Sequence, residues 1–197
     1  MVSERVARTS YHHGALRQAL IEGAKEILAE LGHEQFSLNE VARRAGVSTS
    51  APYRHFDGRD ELLAAVAADG YATLRQCLEQ VVLGVSDPGE RLLRLGGAYV
   101  RFAQEYPGLF VTMFRGPGGV PDVVGIKSFE ILRDAVIEAQ QAELLSSVPS
   151  AELLTRSIWA ALHGLSVLSL RQLADRFDMD GPPEKLAADT LSALLGL

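Results

Sequence analysis

The chain has 197 residues, of which 47% are hydrophobic and 22% are charged. This apolar content is enough for a folded core, which excludes an intrinsically disordered protein, and the length fits one domain or two small ones. The single cysteine, Cys77, excludes an intramolecular disulfide framework and a cysteine-based zinc site. The first twenty residues contain no apolar signal segment, and the longest uncharged stretch, residues 157–170, is too short to span a membrane. We therefore expect a soluble cytoplasmic protein.

The net charge of −6 is unevenly distributed along the chain. Residues 1–60 contain 8 Lys or Arg and 8 Asp or Glu, together with four of the five histidines, so the acidic excess lies entirely in residues 61–197. This asymmetry favours an N-terminal region that tolerates a polyanion, attached to an acidic body. A neutral region is not a basic one, so charge alone leaves nucleic-acid binding open.

Apolar residues recur at three- and four-residue spacing throughout, which predicts an all-α protein of about eight or nine helices. After the first helix, Ser37-Leu38-Asn39-Glu40 has the pattern of a capping box that begins a second helix, and Gly46 ends it. A third helix is expected from Ser48 or Thr49, with Pro52 in its first turn. The later helices are predicted over residues 58–82, 88–105, 107–114, 121–146, 151–177 and 183–196, with a Gly/Pro-rich loop at 115–121.

The second and third helices have the length and the intervening glycine of a helix-turn-helix. The third helix is expected to expose Thr49, Ser50, Tyr53, Arg54 and His55. Hydroxyl, phenol and guanidinium groups are donors that reach phosphates and base edges in a major groove. An ordinary helical hairpin with a polar surface is the alternative.

Residues 32–63, GHEQFSLNEVARRAGVSTSAPYRHFDGRDELL, resemble the N-terminal DNA-binding domain of TetR-family transcriptional regulators. The similarity runs through the turn, the Tyr53-Arg54-His55-Phe56 segment and the start of the following helix. It implies a flexible arm over residues 1–9, a three-helix helix-turn-helix domain over 10–57, and a helical domain for ligand binding and dimerisation over 58–197.

The resemblance also implies roles for individual residues. Thr49, Ser50 and Ala51 would face bases, Tyr53 and His55 would bind phosphates, and Arg59 would anchor the DNA backbone from a position where lysine is usual. Ala51-Pro52 departs from the family, in which Gly-Thr-Leu or a similar triplet is common. The full set of expected DNA-binding residues is Ser37, Arg43, Arg44, Ser48, Thr49, Ser50, Ala51, Tyr53, Arg54, His55 and Arg59.

In the body of the chain, Trp159 and His163 are four residues apart and so share one helical face. With Gly164 they resemble the signature of the Trp-His-Gly type of C-terminal domain, found in a branch of TetR-like regulators. The resemblance implies a chamber for a small, largely apolar effector, although a packed aromatic core is the alternative. The expected lining residues are Tyr99, Phe102, Phe110, Met113, Phe114, Trp159 and His163.

The last two predicted helices are rich in leucine and alanine, and the resemblance implies a symmetric homodimer through them. We therefore expect a dimeric repressor that leaves a palindromic DNA operator when an effector binds. An activator of the same family, and a helical small-molecule carrier without DNA binding, are the alternatives. No enzyme motif, cofactor or metal site is expected; His12 and His13 would point about 100° apart on a helix, too divergent to share a metal ion.

Overall fold

The structure is a computed structural model that describes residues 3–115, 123–170, 179 and 181–196, with side chains from Ala15 onward apart from residues 123–125. The described residues form eight α-helices and two short 3₁₀ helices, and no strand, which confirms the all-α class. None of the described helices is both long enough and apolar enough to cross a membrane. The α-helices are α1 (Ser3–Glu30), α2 (Leu38–Arg44), α3 (Arg59–Val81), α4 (Pro88–Glu105), α5 (Pro107–Arg115), α6 (Val123–Gln141), α7 (Ala151–Ser169) and α8 (Pro183–Leu195).

Helices α2 and α4 begin directly after residues whose side chains cap the first turn. The Ser37 hydroxyl accepts a hydrogen bond from the backbone N–H of Glu40 at 3.3 Å, as expected of the first residue of a capping box. The Asp87 carboxylate accepts in the same way from the Glu90 N–H at 2.7 Å, and Pro88 follows at the first helical position.

Two helix boundaries differ from the predictions. Helix α1 begins at Ser3, so residues 3–9 have helical backbone where an irregular arm was expected; no glycine or proline precedes Gly14. Helix α6 ends at Gln141 and not at residue 146, because Glu143 adopts a left-handed conformation with φ of 58°. Two stretches lie outside the described residues. They are residues 116–122, which make up most of the predicted loop, and residues 171–178, where the predicted 151–177 helix ends.

The chain forms two compact units, and the first comprises Met1–Gly70 with Gly108–Gly119. Its division from the second falls inside α3, whereas the predicted domain limit lay between residues 57 and 58. The start of α3 belongs to the first unit and buries Leu62 and Val66 completely. In the same unit α5 packs very closely on α1: a Cβ atom at Gly108 would lie 2.6 Å from the carbonyl oxygen of Leu28.

The second unit comprises Tyr71–Pro107 and Val120–Leu197, with α4 packed against α6, α7 and α8. Half of the residues of α4 are buried, and the helix packs most extensively against α8. A Cβ atom at Gly96 would lie 2.9 Å from Leu191 Cδ1, and one at Gly97 would lie 3.3 Å from the Glu184 Cα. The two glycines therefore allow the α4 backbone to approach α8 more closely than any other residue would.

Candidate nucleic-acid interface

A sharp turn separates α2 from residues 48–56, called the 48–56 segment below. Gly46 has a φ of 68°, a conformation that strongly favours glycine. The backbone N–H of Gly46 bonds the Arg43 carbonyl at 3.2 Å, and that of Val47 bonds the Ala42 carbonyl at 3.0 Å. These two bonds form a Schellman motif, which satisfies the last carbonyls of α2 and redirects the chain.

The 48–56 segment is shorter and tighter than the predicted third helix. Only Pro52–Arg54 is helical, as a single 3₁₀ turn preceded by Ala51, so neither Ser48 nor Thr49 caps an α-helix. Pro52 stands at the first helical position, where its missing N–H costs little, as predicted. The turn is closed by the His55 and Phe56 N–H groups, which both bond the Pro52 carbonyl.

The 48–56 segment presents one apolar and one polar face. Ala51, Pro52 and Phe56 are buried, with Phe56 only 1% exposed. Ala51, which was expected to face bases, lies on the buried side with Pro52 and Phe56, and its contact with DNA stays a prediction. The polar face carries the exposed residues Ser48, Thr49, Ser50, Tyr53 and Arg54, whereas His55 is half-buried.

Tyr53 is an exposed aromatic residue on the polar face of the 48–56 segment. Its side chain is 57% exposed, although a tyrosine of a monomeric protein usually buries most of its ring. Arg54 next to it forms no ion pair with any described residue. A phenol and a guanidinium side by side on a solvent-facing turn can donate hydrogen bonds to adjacent phosphate oxygens.

The two arginines of α2 differ in accessibility. Arg43 is 69% exposed and its Nε bonds the Glu40 carboxylate at 2.8 Å, which lowers the pKa of Glu40. Such exposed ion pairs are weak, so Arg43 can exchange Glu40 for a phosphate at little cost. Arg44 is 21% exposed and bridges Glu30 at 2.8 Å and Glu26 at 3.7 Å on α1. This arrangement favours a structural role for Arg44, in tying α2 to α1, over the predicted contact with DNA.

Arg59, the predicted backbone anchor, faces its own unit in this structure. Its Nη2 donates to the His33 carbonyl at 3.0 Å, and its guanidinium lies 5.6 Å from the centre of the Phe36 ring. The Arg17 guanidinium lies 4.9 Å from the Phe56 ring centre and forms a second cation–π contact. Neither contact was predicted from the sequence. No sequence signal links residues 17 and 56, because they meet only through the packing of α1.

The seven residues of the predicted ligand chamber divide between the two units. Phe110, Met113 and Phe114 belong to the first unit, where the rings of Phe110 and Phe114 lie 5.1 Å apart. The other four belong to the second unit: Tyr99, Phe102, Trp159 and His163. The predicted lining residues are therefore described as two separate groups of side chains, and the chamber stays a prediction.

In the second unit, Tyr99, Trp159 and His163 form a hydrogen-bonded cluster. The Tyr99 hydroxyl lies 2.9 Å from His163 Nδ1, and the His163 ring stacks on Trp159 at a centroid distance of 5.4 Å. Burial raises the pKa of Tyr99, an effect that a hydrogen bond with Trp159 partly opposes, and burial lowers the pKa of His163. Both groups are therefore held neutral, which suits an apolar environment with one oriented hydrogen bond.

Two family models match most of the chain. Residues 20–66 match the model described as bacterial regulatory proteins, tetR family. Residues 92–194 match the model described as tetracyclin repressor-like, C-terminal domain. The second description does not name the Trp-His-Gly type, so that narrower resemblance stays a prediction.

The similar proteins are consistent with these two matches. Rv0681 of Mycobacterium tuberculosis, an uncharacterized HTH-type transcriptional regulator, is 26% identical over 164 residues, which cover 83% of this chain and 74% of that protein. A protein of unknown function from Rhodococcus sp. RHA1 is 32% identical, with a TM-score of 0.78, and the match covers 95% of this chain and 98% of the other. PfmR of Thermus thermophilus, a TetR family transcriptional regulator, is 25% identical with a TM-score of 0.67, over 90% and 97% of the two chains.

Proposed function

Because the chain belongs to the TetR family of bacterial transcriptional regulators, we propose that it is a dimeric repressor released from a palindromic operator by a small, largely apolar effector. The observation that carries the proposal is the polar face of the 48–56 segment, which is held outward by buried Ala51, Pro52 and Phe56. A rigid segment that presents hydroxyl, phenol and guanidinium donors suits a major groove. The place of action is the cytoplasm.

Individual DNA contacts follow from accessibility. Thr49 and Ser50 are exposed and would face base edges, while Tyr53, Arg54 and Arg43 would bind phosphates. Ser37, Ser48 and His55 are secondary candidates at the edges of this surface. Arg59 joins the DNA contacts only if its guanidinium leaves the His33 carbonyl.

The last two helices support a symmetric dimer. Leu153 of α7 and Leu194 of α8 are 46% and 45% exposed, although the other described leucines of both helices are buried or half-buried. Pairing these helices with those of a second copy would cover the exposed leucines. A dimer presents two 48–56 segments, which are needed because one segment contacts too few base pairs for specific binding.

The Tyr99–Trp159–His163 cluster supports an effector site in the second unit. Its neutral hydrogen-bonding groups, set among the buried Phe102 and α4 residues, would orient a mostly apolar molecule with a single polar group. Reducing operator affinity a hundredfold requires about 2.7 kcal/mol of differential effector binding between two states. Burying one ring and forming one hydrogen bond can supply that difference.

Selection of bound fragments from a random DNA library tests the proposal directly. We expect an enriched inverted repeat, with half-site centres separated by about 34–36 Å or a multiple of it, bound by one dimer. In vitro transcription from a promoter carrying that repeat should then decrease, whereas an increase would indicate an activator. No enrichment by the folded protein, at any salt concentration, would instead favour a carrier without DNA binding.

The effector site has its own test. A thermal-shift screen identifies a stabilising compound, and release of the selected DNA by that compound is then titrated. His163→Ala is expected to raise the compound concentration needed for release about tenfold, because the oriented hydrogen bond is lost, while operator affinity stays the same. Ser157→Ala on the exposed side of α7 is the matched control. An unchanged titration for His163→Ala would place the effector elsewhere.

A further inference from the structure

We propose that a second cavity, within the first unit, binds a small organic anion with a planar apolar body, such as an aromatic carboxylate. The cavity has a volume of about 500 Å³ and lies between the 3₁₀ turn His33–Gln35, the start of α3 and the end of α5. It is called the anion cavity below. Its lining residues are His33, Glu34, Phe36, Arg59, Leu63, Thr112 and Arg115.

Two guanidinium groups give the anion cavity its charge. Arg115 forms no ion pair with any described residue, and Arg59 pairs only with its neighbour Asp60, at 3.9 Å. Glu34 is the single carboxylate among the described lining residues, so the positive charges outnumber the negative one. Burial, and to a smaller extent Arg115 and Arg59, lower the pKa of His33, as expected in a positive local potential.

Hydrogen bonds among His33, Arg59 and Thr112, which form the polar wall of the anion cavity, fix these side chains in one arrangement. Thr112 Oγ1 donates its only proton to the Gly108 carbonyl at 2.7 Å. It therefore accepts the hydrogen bond from His33 Nε2, which lies 2.9 Å away. The His33 carbonyl in turn accepts from Arg59 Nη2 at 3.0 Å. This chain of bonds holds one guanidinium at the edge of the cavity before any ligand arrives, which reduces the entropy lost on binding.

The apolar wall selects the class of anion. Phe36 and Leu63, which are 5% and 4% exposed, line the apolar surface of the anion cavity, and the guanidinium of Arg59 lies 5.6 Å from the centre of the Phe36 ring. A planar ring can pack on that surface while its carboxylate reaches Arg59 and Arg115, an acceptor that arginine binds with two parallel hydrogen bonds. Inorganic phosphate would satisfy the arginines but leave the apolar wall uncovered. The volume is within the usual range for sites of small organic molecules.

This proposal rests on the side chains of the anion cavity and does not depend on the proposed repressor function. The probe is 2-naphthoate, titrated into the full-length protein by calorimetry, with the neutral 2-naphthamide as its isosteric control. We expect one naphthoate per chain at this site and naphthamide binding at least about tenfold weaker. Equal binding of the two compounds, or no binding of naphthoate, would overturn the proposal.

Variants locate the bound probe. Arg115→Gln is expected to weaken naphthoate binding about tenfold, and Arg115→Lys, which keeps the charge but not the fork geometry, by less. Arg94→Gln removes an exposed arginine of the second unit and should have no effect. Loss of naphthoate binding in His163→Ala, with normal binding in Arg115→Gln, would assign the probe to the Tyr99–Trp159–His163 cluster and contradict the anion cavity.

Discussion

Gly108→Ala is expected to lower the free energy of unfolding by about 3 kcal/mol, the upper end of the usual cost of overpacking. The new methyl group would lie 2.6 Å from the carbonyl oxygen of Leu28 and 2.9 Å from the backbone nitrogen of Ala29. Both are main-chain atoms in the last turns of α1, so no side-chain rotation can relieve the clash. Helices α1 and α5 must therefore move apart, with loss of packing around them.

Gly164→Ala is the matched control for this prediction. Gly164 is also helical, and nothing lies within 4 Å of where its Cβ would be placed, so alanine should be neutral or stabilise the protein by up to about 1 kcal/mol. Urea denaturation at one fixed protein concentration measures both variants. Equal stability of the two variants would contradict the close approach of α5 to α1.

The double variant Tyr53→Ala/Arg54→Ala is expected to reduce affinity for the selected operator by at least about a hundredfold, because each subunit of the dimer loses one neutral and one charge-assisted hydrogen bond to phosphate. Because a dimer loses two cations, one from each subunit, the slope of log affinity against log salt concentration should also fall in magnitude by about 1.8. Fluorescence anisotropy at several salt concentrations measures both quantities. Because both side chains are exposed, stability should change by less than about 0.5 kcal/mol.

Tyr106→Ala/Arg94→Ala removes the same two residue types from exposed or half-exposed positions of the second unit. We expect this control pair to leave affinity and salt slope unchanged. A hundredfold loss in both double variants would indicate a general effect on folding or assembly. Unchanged affinity in Tyr53→Ala/Arg54→Ala would remove the 48–56 segment from the DNA interface.

Local chemistry explains which parts of the fold could be predicted from the sequence. The capping residues Ser37 and Asp87 determine where α2 and α4 begin, and both starts could be predicted because a cap acts within three residues of itself. The end of α6 was missed because the left-handed residue is Glu143, and nothing about a glutamate indicates that conformation.

The candidate sites show the limit of the same approach. The outward direction of Tyr53 and Arg54 was predicted correctly, whereas the burial of Ala51 was not predicted, because the resemblance supplied a role for it without the local geometry. The anion cavity was not predicted at all. Its wall depends on a hydrogen bond between His33 and Thr112, which are 79 residues apart, and no periodicity or spacing encodes such a contact.

Gly96 and Gly97 have a consequence for how the protein can vary. They lie in the middle of α4 and allow α8 to pack closely against it. Helix α8 also carries the exposed Leu194. A single methyl group at residue 96 would clash with the buried side chain of Leu191 and disturb the packing of α8, while leaving every outward-facing leucine intact. For the dimer that we propose through α7 and α8, substitutions hidden inside the subunit would therefore alter self-association, and a genetic screen for assembly-defective forms should recover changes at residue 96 as well as changes on the surface.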